Sequence, residues 1–297
     1  MKASTKIYNL FLSEKVKTRI EKTILYIALF SFFIHLLLIY LSEFDVLQIF
    51  SDSELLRNPI SAIYTPFSFI LIYEVYLLIY YLPKSFTTYI TKQYEIITLI
   101  IIRKLFNDLS AIEMSANWFE IKGDLQFTYD IMASLILFYL IYQFQKQGKR
   151  KLIENDKLDP KIERFIKRKR VIATILVPLF FSLALYTFID WLSAINLKAS
   201  ELPSFKTINN LFFDEFFTIL ILVDVVILLV SFFYTNEFHK IIRNSGFIVS
   251  TILIRLSFGV SGLVSTILIV FAVLFGLLII LIHNQFERNT LASNKLQ

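Results

Sequence analysis

Apolar runs of about 20 residues recur along this chain, and the polar segments between them alternate in charge. A run of that length is long enough to cross a bilayer as a helix. Spans are expected over 23–41, 60–82, 86–110, 127–144, 171–192, 212–234, 237–256 and 263–283. Composition points the same way. The 297 residues are 56% hydrophobic, with a mean hydropathy of +0.65, where a soluble domain is about 45–50% apolar. The chain has no cysteine, which excludes disulfides, thiolate metal sites and thiol nucleophiles.

Charge sets the expected topology. Basic segments fall at 1–22, 84–92, 146–170 and 235–243. Acidic loops alternate with them, carrying Glu43, Asp45, Asp52 and Glu54, then Asp108, Glu113, Glu120 and Asp124. The positive-inside rule places both termini and the central linker in the cytoplasm. The expected fold class is all-α, a polytopic protein of a bacterial-type inner membrane with about eight transmembrane helices. The expected layout is a cytoplasmic segment 1–22, a four-helix unit 23–145, a basic linker 146–170, a second four-helix unit 171–284 and a cytoplasmic tail 285–297. Within the linker, 155–160 reads as a break between two short helical pieces, because Pro160 disfavours helix at the residue before it.

The third span, Phe86 to Leu105, reads FTTYITKQYEIITLIIIRKL and carries Lys92, Glu95, Arg103 and Lys104. The seventh, Phe238 to Leu256, reads FHKIIRNSGFIVSTILIRL. Superposed, Phe86 meets Phe238, Thr98 meets Ser250 and Arg103 meets Arg255. The second and sixth spans align as well, matching Phe67 to Phe217 and Glu74 to Asp224. An even number of spans per unit gives the two units one orientation, so they read as parallel repeats related by an axis along the membrane normal.

At about 1.5 Å per residue, Glu74 lies about 13 Å in from the turn at Pro83, and Arg103 about 16 Å beyond Lys92. An isolated charge at mid-bilayer costs about 2.5–3.5 kcal/mol on insertion scales. The expected solution is therefore pairing, Glu74 with Arg103 and Asp224 with Arg255. Glu95, eight residues before Arg103, is expected to extend the first pair inward. Such pairs either line an ion or proton path or lock two helices in register.

Other residues carry weaker expectations. His35, His239 and His283 lie on separate spans and read as satisfied or interfacial rather than metal-bound. Asp190 is expected at an interface beside Trp191. Pro66 and Pro178 are placed to kink the second and fifth spans. Ser257, Gly259, Ser261, Gly262 and Ser265 suit either close helix packing or a turn. Lys149, Arg150, Lys151, Lys167, Arg168, Lys169 and Arg170 in the linker suit anionic lipid, an acidic partner or plain topogenic charge. No aromatic platform accompanies them, which argues against nucleic acid.

No phosphate-binding glycine loop, HExxH or GxSxG occurs, so no enzyme, cofactor or metal site is expected. The sequence reads as a channel- or transporter-like membrane protein whose paired charges gate ion or proton passage. The alternative is a non-catalytic membrane scaffold or complex subunit, with a protein partner or a second copy of itself.

Overall fold

A computed structural model describes residues 2–44, 59–109, 122–149, 160–197, 205–260 and 262–294. The regular structure among them is helical: α1 Lys2–Leu12, α2 Glu14–Glu43, α3 Tyr64–Tyr81, α4 Phe86–Leu109, α5 Lys122–Gly148, α6 Pro160–Leu197, α7 Phe205–Phe232, α8 Phe238–Ser257 and α9 Leu263–Asn294. A short 3-10 segment, Pro59–Ile63, leads into α3. Ser13, extended at φ −83 and ψ 156, separates α1 from α2.

Among the described residues, five segments are long and apolar enough to cross a membrane: Ile7–Ser42, Leu125–Gly148, Pro160–Tyr186, Glu215–Phe232 and Leu263–Thr290. The eightfold span expectation therefore narrows to five on these criteria. The helices that fall short do so for physical reasons. The apolar part of α3, Thr65–Tyr81, is short. In α4, Lys92, Glu95, Arg103 and Lys104 interrupt the apolar run, and in α8 Lys240, Arg243 and Arg255 do the same.

Element ends also differ from expectation. The polar stretch 146–170 is in large part helix, because α5 runs on to Gly148 and α6 begins at Pro160. Residues 150–159, with the expected break, lie outside the described residues. Much of the tail 285–297 is the last turns of α9. Pro66 is the third residue of α3, in the first turn, where a missing N–H leaves no intrahelical bond unmade. Pro178 does lie inside α6. The chain turns between α8 and α9: Gly262 has φ 77, and Ser265 Oγ donates to the Ser257 carbonyl at 2.8 Å, while Ser261 lies outside the described residues.

The core forms around α4, which packs against α3, α5 and α8. Tyr94 meets Phe144 of α5 at 5.0 Å between ring centroids, and Phe144 meets Phe247 of α8 at 5.4 Å. Glycine lets α9 approach closely: a Cβ at Gly276 would lie 1.8 Å from the Tyr94 hydroxyl oxygen, and one at Gly246 would lie 2.7 Å from Ile279. By contrast, Tyr26, Phe30 and Phe33 on α2, and Leu135, Phe138 and Tyr139 on α5, face outward. Large apolar groups outside and a polar seam within is the arrangement that lipid as solvent favours.

Candidate functional site

The site is built on α4, whose polar side chains point in several directions around the helix. Arg103 Nη2 donates to Glu74 Oε2 at 2.6 Å, joining α4 to α3. Arg255 Nη2 donates to Asp224 Oδ2 at 2.9 Å, joining α8 to α7. Both expected pairings thus occur in the geometry. Glu74 is 2% exposed, Asp224 0% and Arg255 6%. Such desolvation makes each charge depend on its partner.

The two pairs share a local frame. Glu74 lies seven residues before Tyr81 at the end of α3, and Asp224 eight before Phe232 at the end of α7. Arg103 and Arg255 each lie 17 residues after the first residue of their helix, Phe86 and Phe238. Each guanidinium also sits 5.9 Å from the ring centroid of the phenylalanine seven residues before its acid, Phe67 for Arg103 and Phe217 for Arg255. Seven residues are two helical turns, so acid and ring share one face.

The second pair recruits groups that sequence reasoning missed. Tyr89 of α4 donates its hydroxyl to Asp224 Oδ1 at 2.8 Å. Gln93, one turn on, donates Nε2 to Asp224 Oδ2 at 3.3 Å and accepts from Arg255 Nη2 at 3.0 Å. The four-residue spacing of Tyr89 and Gln93, both polar in a largely apolar helix, is the signal that puts them on one face. Arg255 Nη1 is buried with no hydrogen-bond partner among the described residues.

Glu95 does not extend the first pair. It accepts from Lys92 Nζ at 2.6 Å and from Gln145 Nε2 of α5 at 2.6 Å. Eight residues at about 100° each leave it about 80° around the helix from Arg103, toward α5 rather than α3.

Lys104 completes a further cluster. Asp130, buried on α5, accepts from Lys104 Nζ at 2.8 Å, Gln126 Nε2 at 2.9 Å and Thr266 Oγ1 of α9 at 2.6 Å. Asp130 within the apolar run of α5, with Gln126 four residues earlier, is a sequence signal that could have found it. Thr266→Val removes one donor from this buried carboxylate. It is expected to cost about 1.5–3 kcal/mol, the range for hydrogen bonds to charged groups, read as a lower unfolding midpoint in detergent.

The basic residues of the linker separate. Lys149, Lys167, Arg168 and Arg170 are exposed, whereas Lys169 is 2% exposed. Arg168 lies over Tyr234 and Arg170 over Tyr8. Lys169 is withdrawn from any lipid-contacting surface, its Nζ donating to the Lys84 carbonyl at 2.6 Å. Arg150 and Lys151 lie outside the described residues, as does the Asp190 side chain.

His35 Nδ1 meets Thr65 Oγ1 at 2.5 Å. His239 and His283 come together, their rings stacked at 5.1 Å, with Arg243 Nη1 3.0 Å from His283 Nε2. Among the described residues no three His, Cys, Asp or Glu side chains gather as a metal site would need.

Regular structure that is helical throughout the described residues, five membrane-length apolar helices among them, an apolar exterior and charges paired inside define a membrane-embedded helical protein. Its resemblances end there: no family model, curated protein or solved structure matches the chain.

Proposed function

We propose that this chain is a non-enzymatic, channel- or transporter-like membrane protein, and that the Asp224–Arg255 pair is the switch on its ion or proton path. One observation carries the reading. A carboxylate with no exposure is held jointly by α4, α7 and α8 through Tyr89, Gln93 and Arg255. Moving any one of these helices exchanges partners among the others. Ionisable groups in the membrane interior are expensive, and ion or proton pathways are where they are found. Glu74 and Arg103 form the corresponding switch in the first half.

The common frame of the two pairs supports a tandem duplication, with α4 and α8 as counterparts that each cross the membrane between longer spans. In this reading all eight helices from α2 to α9 lie in a bacterial-type inner membrane, with both termini and the basic linker cytoplasmic. The exposed Lys149, Lys167, Arg168 and Arg170 then face anionic headgroups.

The test is ion and proton flux into liposomes carrying the purified protein, alongside Arg103→Gln and Arg255→Gln. Flux that falls at least about tenfold in Arg255→Gln is the expected result, equal to about 1.4 kcal/mol on the barrier. A folded protein that passes neither monovalent ions nor protons removes the transport reading. The outward face of α2, with Tyr26, Phe30 and Phe33 exposed, favours the second reading in that case: a membrane scaffold or subunit that docks a partner helix or a second copy.

A further inference from the structure

Lys169 is a cation that neither ion pair uses. It is among the largest fully buried side chains of the protein. Its Nζ forms no ion pair among the described residues. Instead it donates to the Lys84 backbone carbonyl at 2.6 Å and lies 5.0 Å from the ring centroid of Phe86 and 5.5 Å from that of Phe165. The two rings stack on each other with centroids 6.0 Å apart. The carbonyl belongs to the turn after α3, Phe86 opens α4, and Phe165 is one turn before Lys169 on α6. Three separate segments therefore converge on one ammonium.

The position of this cage matters. Phe86 is three residues before Tyr89, so the cage lies about 4.5 Å along α4 from the hydroxyl bearer that holds Asp224.

We propose that the Lys84 carbonyl, Phe86 and Phe165 form a binding cage for a small ammonium-type cation, occupied here by the Lys169 ammonium as a tethered stand-in beside the Asp224–Arg255 site. The chemistry of the cage selects the class. One carbonyl accepts one N–H, and two aromatic faces attract the remaining positive surface through their quadrupoles. A sodium ion needs several oxygen ligands to replace its water, and the cage supplies a single one. Ammonium and methylammonium meet the carbonyl and the rings as the lysine head does. That the cage opens onto an ion path rests on the function proposed above; that it binds the cation does not.

The test uses Lys169→Ala in the full chain, purified with and without methylammonium, beside wild type and Lys169→Met, whose apolar side chain keeps the cage filled. The expected result is a saturable rise in the melting temperature of Lys169→Ala with methylammonium. Neither wild type nor Lys169→Met rises, and sodium binds at least about tenfold more weakly. Equal stabilisation by sodium, or no response to methylammonium, overturns the cage. Lys169→Ala that folds only when prepared with methylammonium supports it. Lys169→Ala that folds in neither buffer, while Lys169→Met folds in both, overturns it. Methylammonium flux in liposomes is measured on the same samples. A melting response without flux keeps the cage and removes the transport reading; flux without a melting response does the reverse.

Discussion

Arg255→Met is expected to lower the stability of the folded protein by about 3–5 kcal/mol, the usual consequence of removing one partner from a buried ion pair. The cost comes from what stays behind. Asp224 is fully buried and keeps its hydrogen bonds from Tyr89 and Gln93, but it loses its only direct cationic neighbour among the described residues. Adding Asp224→Leu to Arg255→Met removes the stranded charge and is expected to restore part of the loss. Restoration stays incomplete, because the Tyr89 hydroxyl and the Gln93 amide then lack a partner, at about 1–3 kcal/mol for each unsatisfied buried group. The measurement is a double-mutant cycle on unfolding in mixed micelles. Strict additivity of the two substitutions would contradict a coupled pair.

Gly276→Ala is expected to be nearly as damaging, although it adds a single methyl group. Its Cβ would fall 1.8 Å from the Tyr94 hydroxyl oxygen and 3.1 Å from Ser250 Oγ. Tyr94 has no room to give. Its ring is fully buried against Phe144, and its hydroxyl is tied to Ser250 at 2.6 Å. Overpacking of this kind costs about 1–3 kcal/mol, and the rigid surroundings put this position at the upper end. Tyr94→Phe removes the clashing atom, so the double variant is expected to be more stable than Gly276→Ala alone. A thermal melt of the four proteins decides it. If Tyr94→Phe fails to help, α9 does not sit where this contact puts it.

The apolar runs are legible in the sequence because hydrophobicity along a helix needs no knowledge of neighbours. The pairings Glu74–Arg103 and Asp224–Arg255 are legible for a related reason. A short turn after α3 and another after α7 force consecutive helices together, and a buried charge seeks the nearest opposite one. What the sequence conceals is contact between distant helices. Gln93 and Tyr89 serve Asp224 from across the chain, and Thr266 of α9 serves Asp130 of α5. Glu95 serves Gln145 of α5 rather than Arg103, because an eight-residue spacing sets the two about 80° apart around α4, and the sequence does not show which neighbour fills that direction. Lys169 gives no signal at all: it is one base in the run Lys167 to Arg170, and only the turn at Lys84 and the ring of Phe86 turn it inward.

The joint ownership of Asp224 has a consequence for how the protein is made. Tyr89 and Gln93 precede Asp224 by 135 and 131 residues, and Gln93 precedes Arg255 by 162. During synthesis α4 leaves the ribosome long before α7 and α8 exist. Its polar face must wait, wet or held by the insertion machinery, until the last third of the chain arrives. The finished bundle is closed late and from the C-terminal side, so a nascent chain halted after α6 keeps α4 exposed to quality control.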